Sequence, residues 1–232
     1  MPASLSSMLD LLRYMKEGRN EVEEISKAML VGPEALYGIT EELSSIGLVG
    51  FETGSLTLPP GGKVRLAIYL RGKGASMHEL GGALSWREFE VFAGSALEAC
   101  GYDVRMNYRL KAPRREIDVV GVLSGFGIAI DCKHWRRDVL SRLRPAAMMQ
   151  KERVQLLLES RRIPGLKEIL PALLVLSRTG LLSVEGVPIV PADGLLDFLA
   201  GARGCRAQLL ELGNPSETPR GLPRHVPVQK VL

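Results

Sequence analysis

Disulfides, structural zinc and a membrane anchor are the first things this sequence of 232 residues argues against. Its cysteines, Cys100, Cys132 and Cys205, are odd in number and far apart, with neither a zinc-ligand spacing nor a disulfide framework. Cys132 reads as a small buried hydrophobe. No apolar run reaches the roughly 20 residues that cross a bilayer, and no N-terminal signal sequence is visible. The expectation is a soluble, cytoplasmic chain with no membrane partner. There is no internal repeat. The length suits one large or two small domains with a real core.

What is present is an uneven charge. Residues 105–167 carry 15 Lys and Arg against 6 Asp and Glu, whereas residues 1–52 carry 4 against 9. A basic surplus that concentrated suits a phosphate backbone as partner. The candidate contacts are Lys111, Arg114, Arg115, Arg136, Arg137, Lys151 and Arg153.

The basic half contains the stretch that organises the chain, Ser85 to Lys133. Gly127 to Lys133 reads as a strand, which puts Asp131 and Lys133 on one face. Ser124-Gly125 reads as a two-residue hairpin turn after the apolar run 117–123. In that register Asp118 lies opposite Asp131, and Glu116 opposite Lys133. Opposed side chains have Cβ atoms about 5 Å apart, so the two carboxylates need a cation or a shared proton. Ahead of them, Ser85 and Glu88 have capping-box spacing for a helix. Its inner stripe is Trp86, Phe89, Ala93, Ala96, Leu97 and Cys100, with Glu90 at the edge. An acid pressed toward a core is costly without a partner. A metal shared with Asp118 and Asp131 would be one.

A helix Glu, then Asp, then Asp-x-Lys closing a hairpin resembles the PD-(D/E)xK nuclease superfamily. Phe89-Glu90, Gly101-Tyr102, the run 116–119 (EIDV) and the run 131–135 (DCKHW) resemble Mrr-type restriction endonucleases and archaeal Holliday-junction resolvases most. The resemblance covers about 85–202. Mrr-type proteins often have Gln or Glu where this chain has Asp131.

The resemblance implies a restriction endonuclease-like α/β fold, a mixed central sheet flanked by helices. It implies Mg2+, with Mn2+ able to substitute, held by Glu90, Asp118, Asp131 and the carbonyl of Cys132. It also implies a bracing role for Gln150 on the helix 146–162. Lys133 would orient water or stabilise the transition state. His134 is a weaker candidate for carrying a proton, and Trp135 can pack or stack a base.

Before this lies an acidic N-terminal region. Helices are expected at 5–16, 21–30 and 33–46, then a hairpin around Thr53-Gly54. The order resembles a winged helix-turn-helix. The third helix carries Glu34, Glu41 and Glu42 and no Lys or Arg, which fits packing or dimerisation as well as DNA reading. A linking helix over 63–70 is basic, and Ser76-x-x-Glu79 caps another short helix. Strands are expected at 103–110, 172–177 and 187–190, and a closing helix at 193–202. The expected division is 1–75, winged-helix-like; 76–202, nuclease-like; and 203–232, a loose tail. The functional expectation is a metal-dependent endonuclease acting on duplex or branched DNA, with a homodimer possible. The alternatives are a DNA-binding regulator and an interaction protein built on an inactive nuclease fold.

Overall fold

Ser4 caps the first helix by accepting a hydrogen bond from the Ser7 amide, and α1 (Leu5–Tyr14) buries Met8, Leu9, Leu11 and Leu12. The structure, a computed structural model, describes residues 3–111, 113–135, 140–176 and 180–204. After α1 the chain makes a short strand that its pattern does not announce, β1 (Gly18–Glu21), with one inward residue, Asn20. The Asn20 side chain accepts from the Lys16 amide and donates to the carbonyls of Lys16, Gly18 and Leu56. That knot lets a polar tetrapeptide act as a strand. Two helices follow, α2 (Val22–Met29) and α3 (Pro33–Ser45), the latter opened by proline in its first turn. The hairpin of β2 (Gly50–Glu52) and β3 (Ser55–Leu58) completes a three-stranded antiparallel sheet ordered β1-β3-β2.

The linking helix is α4 (Gly62–Gly72), followed by α5 (Met77–Gly81) and α6 (Trp86–Ala99). Both expected capping boxes form, Ser76 with Glu79 and Ser85 with Glu88. Trp86, expected inward, is 54% exposed at the first position of α6, with Arg87 over its ring.

The second half is a six-stranded mixed sheet flanked by helices. Its strands are β4 (Asp103–Lys111), β5 (Arg114–Leu123), β6 (Phe126–Lys133), β7 (Glu168–Val175), β8 (Ser183–Val184) and β9 (Val187–Pro191). The order is β4-β5-β6-β7-β9-β8, antiparallel through β6, parallel across β6, β7 and β9, and antiparallel at the edge. The hairpin register is the one the Ser124-Gly125 turn dictates, running from Leu123–Phe126 to Val119–Ile130. Both turn residues take positive φ, as a two-residue hairpin turn requires.

Helix α7 (Leu140–Ser160) crosses from β6 to β7 and covers one face of the sheet; α6 and α8 (Leu195–Gly204) cover the other. The main buried cluster runs without a break from Met8 in α1, through Leu66 and Leu70 of α4, to Phe89 in α6 and Leu199 in α8. The division expected near residue 75 therefore crosses a shared core. Separate clusters on the α7 side hold Ala129, Val154 and Leu157, and Leu143, Leu173 and Val175. Arg136, Arg137 and the tail from residue 205 lie outside the described residues. No described helix is long and apolar enough to cross a membrane.

Candidate active site

The site forms where the sheet changes its mind about which way its side chains face. Asn107 and Asp118 are the pair missing from the β4–β5 ladder, and Asn107 sits at φ 49°. Asn tolerates that left-handed conformation better than most residues. On one side of the break Val104, Met106 and Val119 join the main core beneath α6; on the other Tyr108, Leu110 and Ile117 pack on the α7 side. Strict alternation would have kept them together. The β5–β6 ladder also stops here, at Val119–Ile130, while β6 continues against β7 as far as Lys133–Val175. The two strands part just as they reach Asp118 and Asp131.

The consequence is that two expected pairings past the end of the ladder do not form. The Asp118 side chain reaches across the gap, and Oδ2 accepts a hydrogen bond from the Cys132 amide at 2.7 Å. Glu116, expected opposite Lys133, instead accepts from Arg109 Nε at 2.9 Å.

Asp131 is 2% exposed and meets two cations. Arg153 Nη1 donates to Oδ1 at 2.9 Å, and Lys133 Nζ stands 2.6 Å from Oδ2. The lysine contact is a charge contact without hydrogen-bond geometry, so Oδ2 has no proper donor. Arg153, expected on a DNA-facing surface, is thus turned inward, and its buried Nε has no partner. The spacing of α7 held the signal for this: Arg153 lies three residues after Gln150 and four before Leu157, both inward. Gln150 is fully buried and donates to the Ala129 carbonyl at 2.9 Å. It braces the β6 backbone two residues ahead of Asp131.

Glu90 approaches from α6 and is 5% exposed. Burial pushes its carboxyl up to about 7, with Asp118 and then Glu116 adding to the rise and Arg87 opposing it. Burial likewise raises Asp118 to about 6, reinforced by Asp131 and offset by the Cys132 amide. Burial, then Asp118 and Asp131, push the Cys132 thiol well up, so it is a poor nucleophile. Three acids therefore face one another from three elements. Among the described residues no three His, Cys, Asp or Glu side chains already form a metal cage.

The neighbours are more tied down than the sequence suggests. His134 Nε2 is hydrogen-bonded to the Gly81 carbonyl at 2.9 Å and its ring lies edge-on to Phe89, so it fastens the end of β6 to α5. Of the basic candidates, Lys111 and Arg114 are exposed at the tip of the β4–β5 hairpin. They line a depression of about 790 Å³ there. Arg115 pairs with Glu152 at 3.0 Å, and Lys151 donates to the Glu185 carbonyl at 3.0 Å.

No family model and no curated protein matches the chain. Among solved structures it is similar to the crystal structure of protein VC1899 from Vibrio cholerae, at 14% identity and a TM-score of 0.42. The likeness takes in 90% of this chain and 52% of that one, so the chain spans about half the length of that protein. At that score it carries no argument about what this chain does.

Proposed function

We propose that the protein is a metal-dependent DNA endonuclease. The observation that carries this reading is the meeting of Glu90, Asp118, Asp131 and Lys133 at the point where β5 and β6 part. A structural ion-pair network would leave its acids matched; here the carboxyls of Glu90 and Asp118 are both raised above the ordinary carboxylate range, Glu90 to about 7 and Asp118 to about 6.

The residues fit a hard divalent cation in kind. Carboxylate and carbonyl oxygens are the donors such ions take, and mutual repulsion among the acids is what a double positive charge relieves. Asp118, Asp131, Glu90 and the Cys132 carbonyl would hold it. Bound there, Mg2+ would supply polarisation of a phosphate oxygen and a more acidic water. Lys133, 20% exposed at its side chain, reaches the opening and would neutralise charge gained by the phosphate. Arg153 and Gln150 keep Asp131 and its strand in position.

Helices α1 to α3 with β1 to β3 follow the element order of a winged helix, and we read that unit as one. Its α3 contributes Glu42 to a link with Tyr69 and Lys73 of the α4 segment. An acidic third helix engaged within the molecule favours packing over base reading. The test is nicking of supercoiled plasmid with Mg2+, with EDTA, and with Lys133→Ala. Mg2+-dependent nicking lost in both controls is the expected result; parental nicking by the variant sinks the reading.

A further inference from the structure

Between the end of β6 and the first turns of α7 lies a cleft of about 360 Å³ that opens beside Asp131 and Lys133. Its size is at the lower end of small-ligand clefts, roughly 300–1,000 Å³. Trp135 forms one wall; Pro145, Ala146 and Met149 of α7 contribute the apolar remainder. Met149 is 46% exposed, one of several apolar side chains that α7 leaves open. Lys133 Nζ lies 5.6 Å, and Arg142 Cζ 5.7 Å, from the Trp135 ring centroid. Arg142 forms no carboxylate pair among the described residues, as Arg87 and Arg114 also do not; its close partner is the indole. Pro145 adds a further polar feature. It stands inside α7 and has no N–H, so the carbonyl of Ser141, also on the cleft, loses its helical donor.

We propose that this cleft is a nucleotide subsite: it takes a nucleotide next to the scissile phosphate, with the base stacked on Trp135. Arg142 holds that nucleotide's phosphate. The proposal rests on the endonuclease reading and adds to it the local shape of the substrate, an unpaired base at the cleavage point. An indole with an apolar wall suits a planar base, and base–aromatic stacking contributes about 1–3 kcal/mol. A cation–π contact at this range is weak at an open site, about 0.5–1 kcal/mol, so an arriving phosphate can draw Arg142 off the ring while Lys133 stays on Asp131. The base then covers the part of the indole that Arg142 leaves. Asp131 on the same wall does not repel the phosphate strongly, since Arg153 and Lys133 already meet it.

The chain has two tryptophans, and Trp86 is exposed on α6, away from the cleft. In a Trp86→Phe background Trp135 is therefore the sole indole reporter. A short labelled oligodeoxyadenylate, titrated in EDTA so that it is not cut, is expected to bind and to quench Trp135. An abasic strand of equal length is expected to bind without quenching. Arg142→Ala should raise Kd about three- to tenfold and reduce the salt slope by about one contact. Trp135→Ala should raise it about five- to hundredfold, whereas Trp135→Phe, which still stacks and packs, stays within about threefold. A bound strand that leaves Trp135 emission unchanged, equal quenching by the abasic strand, or no binding at low salt each overturns the subsite. Quenching that persists where Mg2+-dependent nicking is absent sinks the endonuclease reading and leaves the subsite standing.

Discussion

The buried polar groups of the two halves of the molecule do different work. In the N-terminal half they are neutral: Asn20, Ser26, Thr40 and Ser55. Asn20 makes four hydrogen bonds to backbone within reach of its own turn and β3, and Thr40 donates back to the Leu36 carbonyl. Ser26 and Ser55 bury hydroxyls without a partner, a small cost each. In the sheet half the buried groups are Glu90, Asp131 and Gln150, two of them carboxylates. Asp131 leans on two cations, one without hydrogen-bond geometry, and Glu90 faces Asp118. Asn20 and Thr40 of the first half answer to backbone, whereas Glu90 in the second opposes folding at neutral pH, because burial raises its carboxyl to about 7.

The largest expected effect is on catalysis. Lys133→Ala should lower the Mg2+-dependent nicking rate by about 10²–10³-fold, the scale of losing one preorganised charge at a transition state. Asn20→Ala should leave the rate per folded molecule unchanged. Equal losses in the two variants, measured on plasmid at matched folded fractions by circular dichroism, would erase the distinction between the halves.

The next effect is on stability, and it should differ in sign. Asn20→Ala strands the Lys16 amide and three carbonyls and should cost about 1–3 kcal/mol in urea denaturation. Glu90→Gln in EDTA at pH 8 should stabilise, by up to about 1 kcal/mol, since it removes a buried charge while keeping the shape. Asp118→Asn is the sharper variant at the second acid. Asp118→Ala would leave the Cys132 amide without its acceptor and confuse two effects. A Glu90→Gln protein that melts lower than its parent would mean that Glu90 holds the fold.

Acidity gives a smaller and more diagnostic signal. Folding raises Glu90 from 4.5 to about 7 and Asp118 from 3.8 to about 6. The folded protein then binds more protons than the unfolded chain across that interval, so stability falls as pH rises through it. Metal-free melting temperature should therefore decline between about pH 4 and pH 7 on account of these groups. Glu90→Gln with Asp118→Asn should flatten that decline, while Asn20→Ala shifts the whole curve without changing its slope. Saturating Mg2+ should flatten it too, by holding both acids ionised. An unaltered slope in the double variant would remove the electrostatic account.

The smallest expected effect concerns the surface. Lys111→Ala and Arg114→Ala, at the exposed hairpin tip, should each reduce the salt dependence of DNA binding by about one phosphate contact, read by fluorescence anisotropy. Glu34→Ala and Glu41→Ala in α3 should change it little. A larger effect from α3 would move the nucleic-acid surface to the N-terminal half.

Sequence alone determined whatever depends on near neighbours along the chain. Both capping boxes, the proline opening α3, the Ser124-Gly125 turn and the register it dictates follow from local geometry that a few residues specify. The inward positions Phe89, Ala93 and Leu97 of α6, though not Trp86, and the order of Glu90, Asp118, Asp131 and Lys133 were legible for the same reason. Only the tertiary structure decided the rest. β1 exists because β3 lies beside it and Asn20 ties the turn, not because four polar residues favour a strand. The break at Asn107 and Asp118 is visible only in the folded ladder, and there Asp118 meets the Cys132 amide instead of pairing across from Asp131. Arg153 turned inward because a buried carboxylate needed a cation where α7 happens to pass. Desolvation and charge pairing depend on distance in space and on water excluded from all sides, and no stretch of sequence carries either quantity by itself.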